Sequence, residues 1–237
     1  MKTWQRKHIA HLGLALSLIC SIVAGPISAE ESPESIALFD GESLEGWAIH
    51  HVAPEGEEEE AAVDALWTVE DGVLRTAGAP FGYIHTEEAF ESYTLVIEWR
   101  WPEGVTPTNS GVLLRIADDP VTFLTRCVEA QLAHGNVGDI WAFYGASVAG
   151  NPDRFTEVRE HEALGDFDGV RKILDAENAP GEWNTYEITL DGEGLTLHLN
   201  GDLVNEASGL DVLAGPIGLQ SEGGPIEFRK IELTPIP

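Results

Sequence analysis

The chain has 237 residues, 41 of them Asp or Glu and only 13 Lys or Arg, a formal net charge of −28. So large an acid excess repels phosphate backbones and anionic headgroups, which excludes nucleic acid as a partner, and it keeps a protein soluble in salt that screens self-repulsion. No Gly-rich phosphate loop, no Cys-Cys metal spacing and no His-Glu-x-x-His segment occurs, so no motif names a cofactor.

The first 29 residues carry the three-part layout of an export signal. Lys2, Arg6 and Lys7 form the basic start, Ile9 to Ala24 the apolar stretch, and Ile27-Ser28-Ala29 the small residues before a cut ahead of Glu30. The apolar stretch is too short to span a bilayer comfortably. Cleavage is expected to leave one domain, residues 30–237, exported to a periplasm or the extracellular medium without stable membrane insertion. Three of the 13 basic residues leave with the signal and no acidic one, so 10 stand against 41, a net charge of −31. Cys127 is then the single cysteine; no internal disulfide can form, and its apolar neighbours mark it as a small buried hydrophobe.

Short alternating segments separated by Gly, Pro, Asn and Asp run through the rest, the pattern of an all-β fold. The run Glu55 to Glu60 reads as a solvated acidic loop. Leu66 to Val69 and Val73 to Thr76 form a hairpin across Glu70-Asp71-Gly72. In Thr94 to Arg100, Leu95, Ile97 and Trp99 share one face, leaving Glu98 and Arg100 on the other for a cross-face ion pair. In Asn109 to Ile116, the row Val112, Leu114 and Ile116 is expected inward, and Arg115 outward with Leu113 and Gly111. The segment Cys127 to His134 repeats the design, with Val128, Ala130 and Leu132 inward and Glu129 and Gln131 outward, where a carboxylate and an amide two residues apart can grip sugar hydroxyls. Residues 145–180 lack clean alternation, carry His161, Asp166, Asp168 and Lys172, and read as a long excursion over one sheet face. Trp183 comes next, a candidate stacking platform for a sugar ring, although core filling is the commoner fate of Trp.

Tyr186 to Leu190 with Leu195 to Leu199, and the latter with Leu203 to Glu206 across Asn200-Gly201, give two more hairpins. Near the end, Gly215 to Arg229 places Ile217 and Leu219 toward a core and Gly218, Gln220 and Glu222 on the opposite face. Many strands and few helices imply two packed antiparallel sheets, a sandwich or jelly roll.

The segments Leu38-Phe39-Asp40-Gly41, Leu44 to Trp47, Trp67 to Leu74, Glu98-Trp99-Arg100, Asn109-Ser110-Gly111, Arg115, Glu129-Ala130-Gln131, Gly181 to Asn184, Leu199-Asn200-Gly201, Gly215 to Gln220 and Phe228-Arg229 stand in an order that resembles the 3-keto-disaccharide hydrolase domain family, also described as 3-keto-glucoside lyase/hydratase domains. The resemblance implies a concanavalin A-like jelly roll with an oxidised sugar or oligosaccharide as ligand. It also implies cleavage through elimination: a ketone at C3 acidifies the C2 hydrogen, a base removes it, the aglycone leaves from C1, and water adds to the resulting glycal.

On that chemistry Glu129 or His134 is expected as the base and Arg115 or Lys172 beside the enolate oxygen. Asn109, Gln131 and Gln220 would hold hydroxyls, with Trp183 as platform and Glu222 as reserve acid. A divalent metal held by Glu129, His134 and Glu222 is an alternative to the cationic electrophile. Two other readings stand beside the elimination: a non-catalytic carbohydrate-binding module of the same fold, and a conventional glycosidase using Glu129 and Glu222 at about 5 Å.

Overall fold

The computed structural model describes Met1 and residues 33–52, 66–117 and 120–237. The expected export signal and the acidic run Glu55 to Glu60 lie outside them. In chain order the strands are β1 (Ile36–Ala37), β2 (Trp47–His51), β3 (Trp67–Glu70), β4 (Val73–Thr76), β5 (Gly82–Thr86), β6 (Tyr93–Arg100), β7 (Gly111–Ala117) and β8 (Arg126–Gln131). They continue with β9 (Ile140–Phe143), β10 (Phe155–His161), β11 (Gly165–Val170), β12 (Asn184–Asp191), β13 (Gly194–Leu199), β14 (Asp202–Ala207), β15 (Gly218–Ser221) and β16 (Ile226–Pro235).

These strands form two antiparallel sheets. The first runs β14-β13-β12-β6-β16-β4-β3 with β1 added on β16, and the second runs β10-β11-β9-β8-β7-β15-β5-β2. Period-2 alternation explains the layering. On β6, Tyr93, Leu95, Ile97 and Trp99 are fully buried while their neighbours are half-exposed. They pack with Tyr186, Ile188 and Phe228 of the first sheet and with Val112, Leu114, Val128, Ile140 and Leu219 of the second in one core. Each such side chain contributes roughly 1.5–3 kcal/mol by leaving water. This is the expected all-β jelly-roll sandwich. The hairpins β3–β4, β12–β13 and β13–β14 fall where the turn residues place them.

Three local expectations change. Glu98 and Arg100 do not pair with each other: Arg100 Nε meets Glu227 Oε2 at 2.6 Å, and Glu98 pairs with Arg229. Residues 145–180 are not a structureless excursion, because β10 and β11 pair as a hairpin and extend the second sheet past β9. The alternation is hidden there: Phe155, Val158, Phe167 and Val170 are interspersed with exposed charged residues, and the register breaks between Val158 and His161 at Glu160, whose φ is 54°.

The third change is at Arg115. The β7–β8 register shifts between Leu114 and Ala117, and Arg115 takes φ of 52°. An extra residue in one strand of a pair reverses the face of every later residue in that strand. Ile116 therefore leaves the expected core row and joins Leu113, Cys127 and Tyr83 on the other face, and Arg115 turns the opposite way. Its guanidinium donates to the carbonyls of Glu91, Gly192 and Asp211.

Candidate functional site

The face of the second sheet turned away from the core carries the side chains of alternate residues on β7, β8, β9, β11 and β15. Backbone register sets them in rows. Leu113 pairs with Glu129, Glu129 with Trp141, and Trp141 with Gly169, so a leucine, a carboxyl, an indole and a bare backbone cross four adjacent strands. In the next row Gly111 pairs with Gln131. On the other side Cys127 pairs with Phe143 and Phe143 with Phe167.

Two glycines make room for the large groups. A β-carbon at Gly111 would stand 2.6 Å from Cδ of Glu129, so the carboxyl occupies the space over that glycine. One at Gly169 would stand 2.7 Å from Cζ3 of Trp141, so the indole rests against that backbone.

Over these rows lies a cleft of about 370 Å³. Its polar half is Asn109, Glu129, Gln131, Gln220 and Glu222, from β8, β15 and the bridge that joins Asn109 to Glu222 beside them. Its other half is Leu124, Trp141, Phe143, Val158, Leu164 and Phe167, with Arg171 and His161. Glu129 is 2 % exposed and Gln220 1 %. Glu129 Oε1, Gln220 Oε1 and Asn109 Oδ1 are buried without a hydrogen-bond partner. A buried polar atom left so costs about 1–3 kcal/mol, and these three belong to residues that line one cleft. Gln131 is oriented by its own strand end: its Oε1 accepts from the N–H groups of Leu132 and Ala133, both at 2.9 Å, which leaves the amide NH₂ as its free end.

Burial pushes the Glu129 carboxyl well above the usual carboxylate range, and the carboxyls of Glu222 and Asp139 push it further. Burial also raises Glu222, opposed by a hydrogen bond from Asn109. Both effects disfavour charge: low-dielectric surroundings penalise an ion, and a like charge nearby penalises a second. Asp139 is itself buried and neutralised by Arg171, at 2.6 Å, whose guanidinium stacks 4.5 Å over the Trp141 ring. Burial raises the Cys127 thiol too, as befits the small buried hydrophobe read from its neighbours.

Of the residues expected from sequence, Asn109, Glu129, Gln131, Gln220 and Glu222 come together in this cleft, while His134, Arg115, Lys172 and Trp183 do not line it. His134 Nδ1 lies 2.9 Å from Glu177, whose carboxylate also accepts from Trp101 and the Gly135 backbone. Lys172 is bound to Asp175 and the Gly135 carbonyl. The guanidinium groups of Arg100 and Arg229 stack on the Trp183 ring, at 4.4 and 4.3 Å, so its π-system is engaged by strands of the first sheet rather than by the cleft. The trio Glu129, His134 and Glu222 consequently does not assemble, and among the described residues no group of three or more His, Cys, Asp or Glu is placed to hold a metal ion.

Sequence reasoning missed Trp141, Phe143, Phe167, Leu164 and Arg171 as cleft residues. A signal existed for two of them: Trp141 and Phe143 are two apart on a strand, as Glu129 and Gln131 are.

Residues 34–234 match the model of the 3-keto-alpha-glucoside-1,2-lyase-like domain. The chain belongs to this family. No curated protein matches it. Among solved structures, two Parabacteroides distasonis proteins provisionally assigned as glycosyl hydrolases are similar to this lyase-like domain. One shares 17 % identity at TM-score 0.59, covering 86 % of this chain and 94 % of its own, and the other 26 % at TM-score 0.53, covering 85 % and 84 %. The carbohydrate-binding module CBM66 of Bacillus subtilis superposes at TM-score 0.54 with 11 % identity, over 79 % of this chain and 94 % of its own, which shows a shared fold.

Proposed function

We propose that the protein is an exported enzyme that cleaves 3-keto-glucosides by elimination and hydration in the cleft on the second sheet. The observation that carries this reading is the juxtaposed pair Glu129 and Glu222, both raised by burial, beside polar atoms that lack protein partners. Two carboxyls lining one cleft, each raised by burial, are the arrangement that general acid and base chemistry uses.

Burial and hydrogen bonding assign the roles. Glu129 is the more deeply buried carboxyl and its Oε1 has no protein partner, which favours the neutral form. Glu222 is half-buried and accepts a hydrogen bond from Asn109, which favours its carboxylate. Glu222 is then the base and Glu129 the acid, the reverse of the assignment expected from sequence. Glu222 removes the C2 proton, electrons form the C1=C2 bond, the C1–O bond breaks, and Glu129 gives its proton to the departing oxygen. In the hydration, Glu129 takes a proton from water, hydroxide joins C1, and Glu222 returns its proton to C2. The products are 3-keto-glucose and the free aglycone, with both carboxyls restored.

Arg115 and Lys172 are engaged elsewhere, so the enolate oxygen takes its hydrogen bonds from the Gln131 NH₂ and from Gln220. Neutral donors fixed in a buried site stabilise developing charge without reorganisation.

The test is a series of aryl 3-keto-glucosides of increasing phenol pKa, with unoxidised glucosides as controls. Glu129→Gln is expected to lose about 10²–10⁴-fold on the poorest leaving groups and little on the best. Glu222→Gln is expected to fail across the series. No product from any 3-keto-glucoside with the wild-type protein, or full turnover by Glu129→Gln throughout, overturns the reading.

A further inference from the structure

We propose that the leaving group this cleft accepts is an aromatic ring system rather than a second sugar; the inference rests on the function proposed above and names the other half of the same substrate. The division of the cleft across the sheet carries it. Among the described residues, the side-chain amides and carboxyls of the cleft stand at β8 and β15 or on the Asn109 to Glu222 bridge, whereas β9, β10, β11 and the turn between the last two present Trp141, Phe143, Val158, Phe167 and Leu164, with His161 and Arg171 as the polar groups on that side. The rings meet edge to face or tilted: Trp141 and Phe167 have centroids 5.4 Å apart at 78°, Phe143 and Phe167 4.9 Å at 45°. Such walls offer π-faces and edges to a further ring.

A second pyranose would bring several hydroxyls into this half, and each loses its water there. Among the described residues two polar side chains are available to it, Arg171 and His161. Arg171 is already committed to Asp139 and Trp141. His161 Nδ1 accepts from the backbone N–H groups of Ala163 and Leu164, which assigns the ring proton to Nε2 and leaves a single donor. One donor at the edge of an apolar recess suits a phenolic ring bearing an isolated oxygen substituent. The apolar lining does not end at the cleft: it is continuous with a cluster of Tyr83, Leu113, Ile116, Leu124 and Cys127 on the same sheet face.

Unoxidised glucosides separate binding of the leaving group from the chemistry, because neither has the ketone. Calorimetric titration of the full chain with phenyl and naphthyl glucosides of both anomers is expected to show at least tenfold tighter binding than with glucosyl-glucose disaccharides. Leu164→Asn, at the hairpin turn, is expected to remove most of that preference while leaving the affinity for methyl glucoside within twofold, and Phe167→Leu provides a second variant that keeps apolar volume. Equal or tighter binding of the disaccharide, no measurable binding of the aryl glucosides, or equal weakening of aryl and methyl glucosides by Leu164→Asn overturns the proposal. If the aryl preference holds while no 3-keto-glucoside is cleaved, the elimination reading fails and the aromatic occupant stands.

Discussion

The carboxyl of Glu129 fills the place where Gly111 has no side chain, across the β7–β8 pair, with its Cδ 2.6 Å from where a β-carbon would be. Gly111→Ala is therefore expected to displace the carboxyl while leaving strand pairing intact, since alanine tolerates extended backbone. Turnover should drop about a hundredfold, the cost of misplacing a reacting group by an ångström, with an unchanged far-ultraviolet circular dichroism spectrum. Full activity in that variant would mean that the carboxyl position is irrelevant to the reaction.

The raised carboxyls also leave a mark on stability. A carboxyl whose folded pKa lies above its unfolded value binds its proton more tightly when folded, so its contribution is complete below the unfolded pKa and is lost as pH rises through the folded one. For Glu129 the window opens near 4.5, the ordinary value of a glutamate, and extends upward. Glu129→Gln should melt at the same temperature as wild type near pH 4 and at a higher temperature at pH 8. Thermal scans at half-unit steps would reveal the divergence, and parallel curves would contradict it.

Arg115 belongs to the fold. Its guanidinium ties together the carbonyls of Glu91, Gly192 and Asp211, which belong to three separated turns. Arg115→Met should cost roughly 2–4 kcal/mol in urea unfolding, since bonds from a charged donor are worth about 1.5–3 kcal/mol each and do not add fully. At low temperature kcat and KM should stay within twofold of wild type. A variant of normal stability and no activity would return Arg115 to the site.

His134 and Trp183 make the complementary case. His134→Ala should leave kcat and its pH profile unaltered, because Glu177 and not the cleft holds the ring. Trp183→Ala removes the ring stacked by Arg100 and Arg229 and should lower stability by about 1–2 kcal/mol, with sugar affinity unchanged in the same titrations used for the aryl glucosides.

The parts of the site that lie on regular strands were legible because side-chain parity is a local property. Val128, Ala130 and Leu132 inward place Glu129 and Gln131 outward, and the same counting places Leu219 and Gln220. Parity failed at Arg115, where a single bulge reverses every later residue of the strand, and nothing in the segment Leu113 to Ala117 announces it. His134 and Lys172 lie beyond strand ends, where direction depends on which partner the turn delivers: here Glu177 and Asp175. The apolar half of the cleft was missed because an exposed-face aromatic looks like a core aromatic until the sheet is assembled. The hairpin β10–β11 then supplies a wall from a stretch that has no clean period of its own.

The order of strands in the second sheet separates two kinds of change. Glu129 sits on β8, flanked on both sides by paired strands, while Phe167 and Val158 sit on the two outermost strands at one end. An interior strand cannot be replaced without breaking two ladders, whereas an edge hairpin ends at one. Exchanging residues 155–170 for a different hairpin would therefore alter the apolar wall of the cleft while Glu129 and Gln220 stay where they are. The edge of the sheet can accept insertions and substitutions that the interior strand carrying Glu129 cannot.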